Sequence, residues 1–217
     1  TAPHEAPALG LVLAEAGAAD ELDLEWRVGA ERLCNSAELD RRLHYALDPP
    51  DKAAAVDLRV NTLRGATRDD ALRRLRAAGF AAAPTAASPL GVRIEPPVAV
   101  GALLEDFVGD VEPMDEGAQL VTALVGARPS ESVTLWGAGA AGGKALALAA
   151  AMENKGKLLV VDGDETRLAA LGLRLRAAGV DNAQCHAAAG GGTAPDPWLK
   201  RKKRSVDRVL VDPPCSG

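Results

Sequence analysis

Hydrophobic and polar positions change rhythm along the chain, and each change predicts a different kind of structure. Between residues 7 and 47, Leu9, Leu11, Val12 and Leu13, then Leu22, Leu24, Trp26 and Val28, recur at roughly helical spacing. Asp48-Pro49-Pro50-Asp51 interrupts that pattern and marks a boundary, since proline resists helical continuation. Val56-Asp57-Leu58-Arg59-Val60-Asn61-Thr62-Leu63 then alternates apolar with polar, which predicts a half-buried strand. Thr67 followed by Arg68-Asp69-Asp70 predicts a helix start, with Thr67 as cap and acids in the first turn; the helix runs through Ala78 and stops at Gly79. Leu90–Glu95 predicts a returning strand. The expected layout is a helical segment over 1–50, a small α+β module over 51–110 and a larger unit over 111–217.

In that larger unit, strands and helices alternate. Helix is expected over Glu116–Val125, then strand Val133–Trp136, a Gly-rich turn Gly137–Gly143, and helix Lys144–Met152. Strand Lys157–Val161, helix Glu165–Ala178, strand Asn182–Ala187 and a last strand Val206–Val211 follow. Such alternation predicts βαβ units and a parallel, doubly wound sheet. Ala187–Ala194 reads as a low-complexity loop. Because the sequence ends at Gly217, just after this last hydrophobic strand, an exposed sheet edge is expected there, covered by further chain, by a ribosome or by another protein. A start at Thr1 points to a native N-terminus further upstream.

Composition narrows the function classes. At 47% hydrophobic and 25% charged residues, the chain is globular, not disordered. Only 3% is aromatic, which argues against stacking platforms for single-stranded bases. A net charge of −5 confines nucleic-acid contact to local clusters, and Lys200-Arg201-Lys202-Lys203-Arg204 is the dense basic run, equally readable as a solvated loop. Cys34, Cys185 and Cys215 suit neither a disulfide framework nor zinc, so a reducing compartment is expected, the cytoplasm or an organellar matrix. His4, His44 and His186 do not cluster with carboxylates, and no metal is expected. No apolar run is long enough for a membrane span, and the N-terminus does not read as a secretory signal.

Two constellations could carry chemistry. Gly137-Ala138-Gly139-Ala140-Ala141-Gly142 follows a predicted strand and opens a helix, and Asp162 ends the next strand. Glycines let the backbone turn close to a ligand, a helix start offers unpaired N–H groups, and a carboxylate after the second strand can accept from both ribose hydroxyls of an adenosine. The bland alternative is a plain Gly/Ala turn. A P-loop fits poorly because Ala138 and Ala145 stand where it needs Gly and Ser or Thr, but a dinucleotide dehydrogenase fits this pattern as well as a methyltransferase does. The other constellation is Asp212-Pro213-Pro214-Cys215 at the exit of the last strand, beside the same cleft. A carboxylate there can recognise a base, and a thiolate can act covalently.

Val209-Leu210-Val211-Asp212-Pro213-Pro214-Cys215-Ser216-Gly217 resembles the fourth motif of the Sun-type (NOL/NOP/Sun) RNA cytosine-5 methyltransferases. Arg59-Val60-Asn61-Thr62-Leu63-Arg64 resembles that family's RVNTLK segment, Asp115-Glu116-Gly117-Ala118-Gln119 its DEGSQ helix start, and Ala141-Gly142-Gly143-Lys144 the end of its first cofactor motif. The resemblance implies an α/β, Rossmann-like class I methyltransferase core, cut after its fourth strand, and methyl transfer from S-adenosylmethionine to carbon 5 of cytosine in ribosomal or transfer RNA. It implies that Gly137, Gly139, Gly142, Gly143, Lys144, Asp162 and Arg167 serve the cofactor. Asp212 would hold the cytosine and Cys215 would assist product release. Arg59 and Asn61, with the basic run, are expected to contact RNA. The family's cytosine-adding cysteine belongs to a later motif, so these 217 residues alone are expected not to methylate RNA.

The chain departs from the family pattern at Trp136, where an acid is usual, at Met114, Ala118, Ala138 and Ala145, and at Ala187-Ala188-Ala189, where an Asp is common. These departures motivate a second possibility, a decayed methyltransferase serving as an RNA-binding or ribosome-associated scaffold. A nicotinamide-dependent dehydrogenase is the third.

Overall fold

Alternation in Val56–Val60 builds the centre of the first sheet. The computed structural model describes residues 55–95, 107–137, 142–188 and 205–212; the expected N-terminal helices lie outside them. Strand β1 (Val56–Val60) is flanked by antiparallel β3 (Gly91–Ile94) and β4 (Val111–Pro113), with β2 (Ala82–Pro84) beyond β3. Leu58, Val60, Val92 and Ile94 bury one face against Ala71, Leu72 and Leu75 of helix α1 (Arg68–Ala77). Thr67 caps α1 as expected: its hydroxyl oxygen accepts from the Asp70 amide at 3.2 Å, with Asp69 and Asp70 at the positive end and Arg74 and Arg76 at the negative end. The short strands β2 and β4 were not legible in the pattern, because three residues show no period. Since β4 pairs with β1, the small sheet reaches past residue 110, the boundary expected from sequence.

The second sheet has four strands, all parallel: β5 (Ser132–Trp136), β6 (Lys157–Asp162), β7 (Ala183–Ala187) and β8 (Arg208–Val211), in the order β7-β6-β5-β8. That is the order of a Rossmann-like core, and it reverses direction between β5 and β8. Helix α2 (Glu116–Leu124) leads into the sheet; α3 (Gly143–Ala151) and α4 (Glu165–Ala177) connect β5 to β6 and β6 to β7. Val133, Leu135, Leu158, Val160 and Leu210 pack against Ala145, Leu146, Leu148, Ala149 and Met152 of α3 and its cap, and against Leu168, Leu171 and Leu175 of α4. Small residues on α3 let it sit close to the sheet. Glu131 and Arg208 tie the strand starts through two hydrogen bonds, of 2.8 and 2.9 Å. Strand β8 is an outer strand among the described residues, and no described helix is long and apolar enough to cross a membrane.

Candidate functional site

Strand register assembles the cleft. Trp136 is level with Val161 on one side and Val211 on the other, so the next residues, Gly137, Asp162 and Asp212, stand abreast at the strand ends. Adjacent strands lie about 4.8 Å apart, which separates the two aspartates by about 10 Å across Gly137. Residues in register share a face of the sheet, so both carboxylates belong to the side covered by α3 and α4. This is the switch point, where strand order reverses and where open α/β sheets take their ligands.

Gly137 is fixed from both sides. Its amide donates to the Val161 carbonyl at 2.7 Å, and the Asp212 amide donates to the Trp136 carbonyl at 2.7 Å. Its φ is +87°, and a Cβ built there would lie 2.0 Å from the Asp212 carbonyl oxygen. Only glycine holds the left-handed turn while β8 approaches this closely. Gly142, φ +64°, is the N-cap of α3 and provides no side-chain cap, and Gly143 is buried against Met114. The first amides of α3 therefore lack a side-chain acceptor from the cap and suit an anion or an ester-like oxygen. Gly139 lies outside the described residues.

Lys144, in the first turn of α3, sends Nζ to Asp212 Oδ2 at 2.8 Å; both side chains are about one-fifth exposed, 22% and 20%. The resemblance put Lys144 with the cofactor, and the geometry joins it to the expected base-recognition carboxylate. Asp162 is 5% exposed, and its Oδ1 accepts from the Asp164 amide at 2.8 Å. Asp164 caps α4 by accepting from the amides of Thr166 and Arg167, at 2.8 and 3.1 Å. Arg167 lies 3.3 Å from Asp164 and 3.9 Å from Asp162, an outer partner to this pair.

Trp136, the largest departure from the family pattern, faces away from the bend. It packs on the opposite side of the sheet with Leu159, Val161 and Ala188. It does not plug the cleft. Ala188 is buried and donates its amide to the Asp162 carbonyl at 2.8 Å.

The expected RNA contacts at Arg59 and Asn61 are corrected. Arg59 is 2% exposed and ion-pairs with Glu112 at 3.0 Å. Burial drives the Glu112 carboxyl above its ordinary pKa, against the pull of that guanidinium. Asn61 is 1% exposed and hydrogen-bonded to backbone on every side. Neither side chain has a surface to offer a phosphate. Polar residues inside an apolar alternation were the only sequence signal of these interior roles, and that signal reads equally as an outer strand face. Cys215 and Lys200, Arg201, Lys202, Lys203 and Arg204 lie outside the described residues.

Residues 125–217 match the family model described as 16S rRNA methyltransferase RsmB/F, and residues 44–101 match that of the RsmF/B-like ferredoxin-like domain. Ribosomal RNA small subunit methyltransferase B of Serratia proteamaculans is 33% identical over 173 residues, covering 79% of this chain and 38% of its own length. The enzyme of the same name from Citrobacter koseri is 33% identical over 160 residues, 74% of this chain and 36% of its own. The chain thus spans little more than a third of these curated relatives. Among solved structures, a methyltransferase homolog protein from Pyrococcus horikoshii superposes with a TM-score of 0.57 and 26% identity, covering 64% of this chain and 45% of its own. NSun6 from Pyrococcus horikoshii, solved with SFG, gives 0.61 at 14% identity over 76% of this chain and 64% of its own, a likeness of fold.

Proposed function

The chain belongs to the Sun-type RNA methyltransferase family, and from that premise we propose that it carries the cofactor and base-recognition parts of an S-adenosylmethionine-dependent RNA cytosine-5 methyltransferase acting on ribosomal or transfer RNA. Support comes above all from the register that sets Asp162, Gly137 and Asp212 side by side at the switch point. An uncapped helix start, a glycine turn and a buried carboxylate suit the carboxylate and ribose of S-adenosylmethionine. A solved protein of the same fold holds SFG, an analogue of that cofactor.

When bound, S-adenosylmethionine supplies a methyl group made electrophilic by its sulfonium. Asp162 accepts from the ribose hydroxyls, held in place by the Asp164 amide on one oxygen and by its location at a strand end. Arg167 steadies Asp162 and Asp164 from outside. Gly137, Gly142 and Gly143 keep side chains out of the way, so that backbone amides can approach the ligand, and the resemblance adds Gly139 to them. Asp212 accepts from the exocyclic amino group of cytosine, the donor that distinguishes cytosine from uracil. Lys144 compensates the Asp212 charge until the base arrives and then stays within reach of the base's carbonyl oxygen. Cys215, three residues beyond Asp212, has the product-release role implied by the family. RNA contact falls to Lys200–Arg204, because Arg59 and Asn61 are interior. The setting we propose is the cytoplasm or an organellar matrix, with a second protein surface or more of the same chain on the β8 edge.

Incubation of the full-length protein with methyl-labelled S-adenosylmethionine and ribosomal or transfer RNA is expected to yield labelled 5-methylcytidine after nuclease digestion. Asp212→Ala is expected to abolish the label while cofactor binding persists. RNA retention without any transfer would favour the scaffold. Against that alternative, the departure at Trp136 is absorbed into packing on the far face and leaves the aspartate edge intact.

A further inference from the structure

Asn61 has one amide group and uses it on two modules. Nδ2 donates to the Gly109 carbonyl at 2.8 Å inside the small sheet module, and to the Ala178 carbonyl at 2.8 Å at the end of α4. Its Oδ1 accepts from the Leu63 amide at 3.1 Å, which leaves Asn61 fixed in one orientation. Arg64 repeats the bridge: Nη1 donates to the Ala177 carbonyl at 3.0 Å, while Nε lies 3.3 Å from Asp110 Oδ1. A helix cannot satisfy its last carbonyls internally, and they carry the negative end of its dipole, so an amide donor and a guanidinium are suited to grip them. Gly109, φ +80°, completes the notch; a Cβ there would lie 2.5 Å from the Ala177 carbonyl oxygen. Between Asn61 and Arg64, Leu63 packs on the core of the parallel sheet.

The other end of the same helix is the cleft. Helix α4 has 13 residues and spans about 20 Å. Its N-terminus carries Asp164 and Arg167 beside Asp162. One stiff rod therefore has the small module clamped to its C-terminus and, beside its N-terminus, the strand-end carboxylate assigned above to the ribose.

We propose that Asn61 and Arg64 are positioning residues: through α4 they fix the orientation of the small module relative to the cleft, so that RNA resting on the module meets Asp212 at the right angle. The proposal rests on the function above, but the clamp itself can be measured without it. In the full-length protein, spin labels are introduced as unnatural amino acids at Arg73 and Leu173, exposed residues on either side of the junction, which spares the native cysteines. Electron–electron resonance without RNA or cofactor is expected to give a narrow distance distribution that broadens in Asn61→Ala. In the same variant kcat at saturating RNA is expected to fall by about tenfold to a hundredfold, the cost of misplaced reactants, while the Kd for S-adenosylmethionine is unchanged. Unchanged distance width and kcat would overturn the proposal. So would a Kd that weakens in step with kcat, which would mean collapse of the core. If Asn61→Ala does not fold, Arg64→Ala serves instead, because its side chain is 46% exposed and lies outside both hydrophobic cores; a wild-type distance distribution in that variant would count against the clamp. Broadening in a protein whose wild type transfers no methyl group would reject the function and keep the clamp.

Discussion

Replacing Gly137 by alanine tests the closest approach in the site. An L-residue in the left-handed region costs about 1–2 kcal/mol relative to glycine. The new Cβ would also sit 2.0 Å from the Asp212 carbonyl oxygen, a backbone atom that moves only if the end of β8 moves. That shift strains two hydrogen bonds of 2.7 Å, Gly137 to Val161 and Asp212 to Trp136, each worth about 1 kcal/mol net. The sum is a loss of about 2–4 kcal/mol, which at a urea m-value of about 2 kcal/mol/M lowers the unfolding midpoint by roughly 1–2 M. Urea unfolding followed by circular dichroism measures the midpoint, and calorimetry on the folded variant measures cofactor affinity. Affinity should fall as well, because the distorted turn carries the amides assigned to the cofactor. A midpoint within about 0.3 M of wild type would mean that the strand ends yield without cost, and the close approach would lose its role.

Other outcomes follow from the same geometry. Asp162→Ala should weaken S-adenosylmethionine by at least about 1 kcal/mol, roughly fivefold in Kd, by calorimetry; unchanged affinity would remove Asp162 from the site. Arg59→Met alone strands the buried Glu112 and should destabilise by about 3–5 kcal/mol, whereas Arg59→Met with Glu112→Leu should recover most of that. The pair already leaves Arg59 Nε and Glu112 Oε1 without partners, so additive losses in chemical denaturation would refute this view. Hydrogen bonding to Arg208 holds the Glu131 carboxyl below its ordinary value of 4.5. A depressed carboxylate stabilises the fold above the unfolded-state pKa, and that contribution disappears as pH falls through the folded one. Melting temperature measured from pH 7 to pH 3 should therefore drop less steeply in Glu131→Gln than in wild type; parallel curves would deny the linkage.

Much of the fold was legible because periodicity is a local property. The αβ alternation from Glu116 onward, the cap at Thr67 and the boundaries of α3 and α4 fell within one or two residues of expectation. Asp162 and Asp212 were legible as strand ends, and hence as cleft residues, since a parallel sheet puts its ligands at that edge. The short strands β2 and β4 were not, because their existence depends on the partner strand and not on their own three residues.

The sequence by itself determined a parallel core, a glycine bend and two acidic strand ends, all of which follow from the spacing of neighbouring residues. Only the tertiary structure decided that Trp136 turns to the far face, that Lys144 reaches Asp212, and that Arg59 and Asn61 belong to the interior. Burial is the physical reason. Arg59 and Asn61 sit in an alternation that fits a solvated face equally well, and whether such a side chain meets water, a carboxylate or a helix end 117 positions away is fixed by what packs over it.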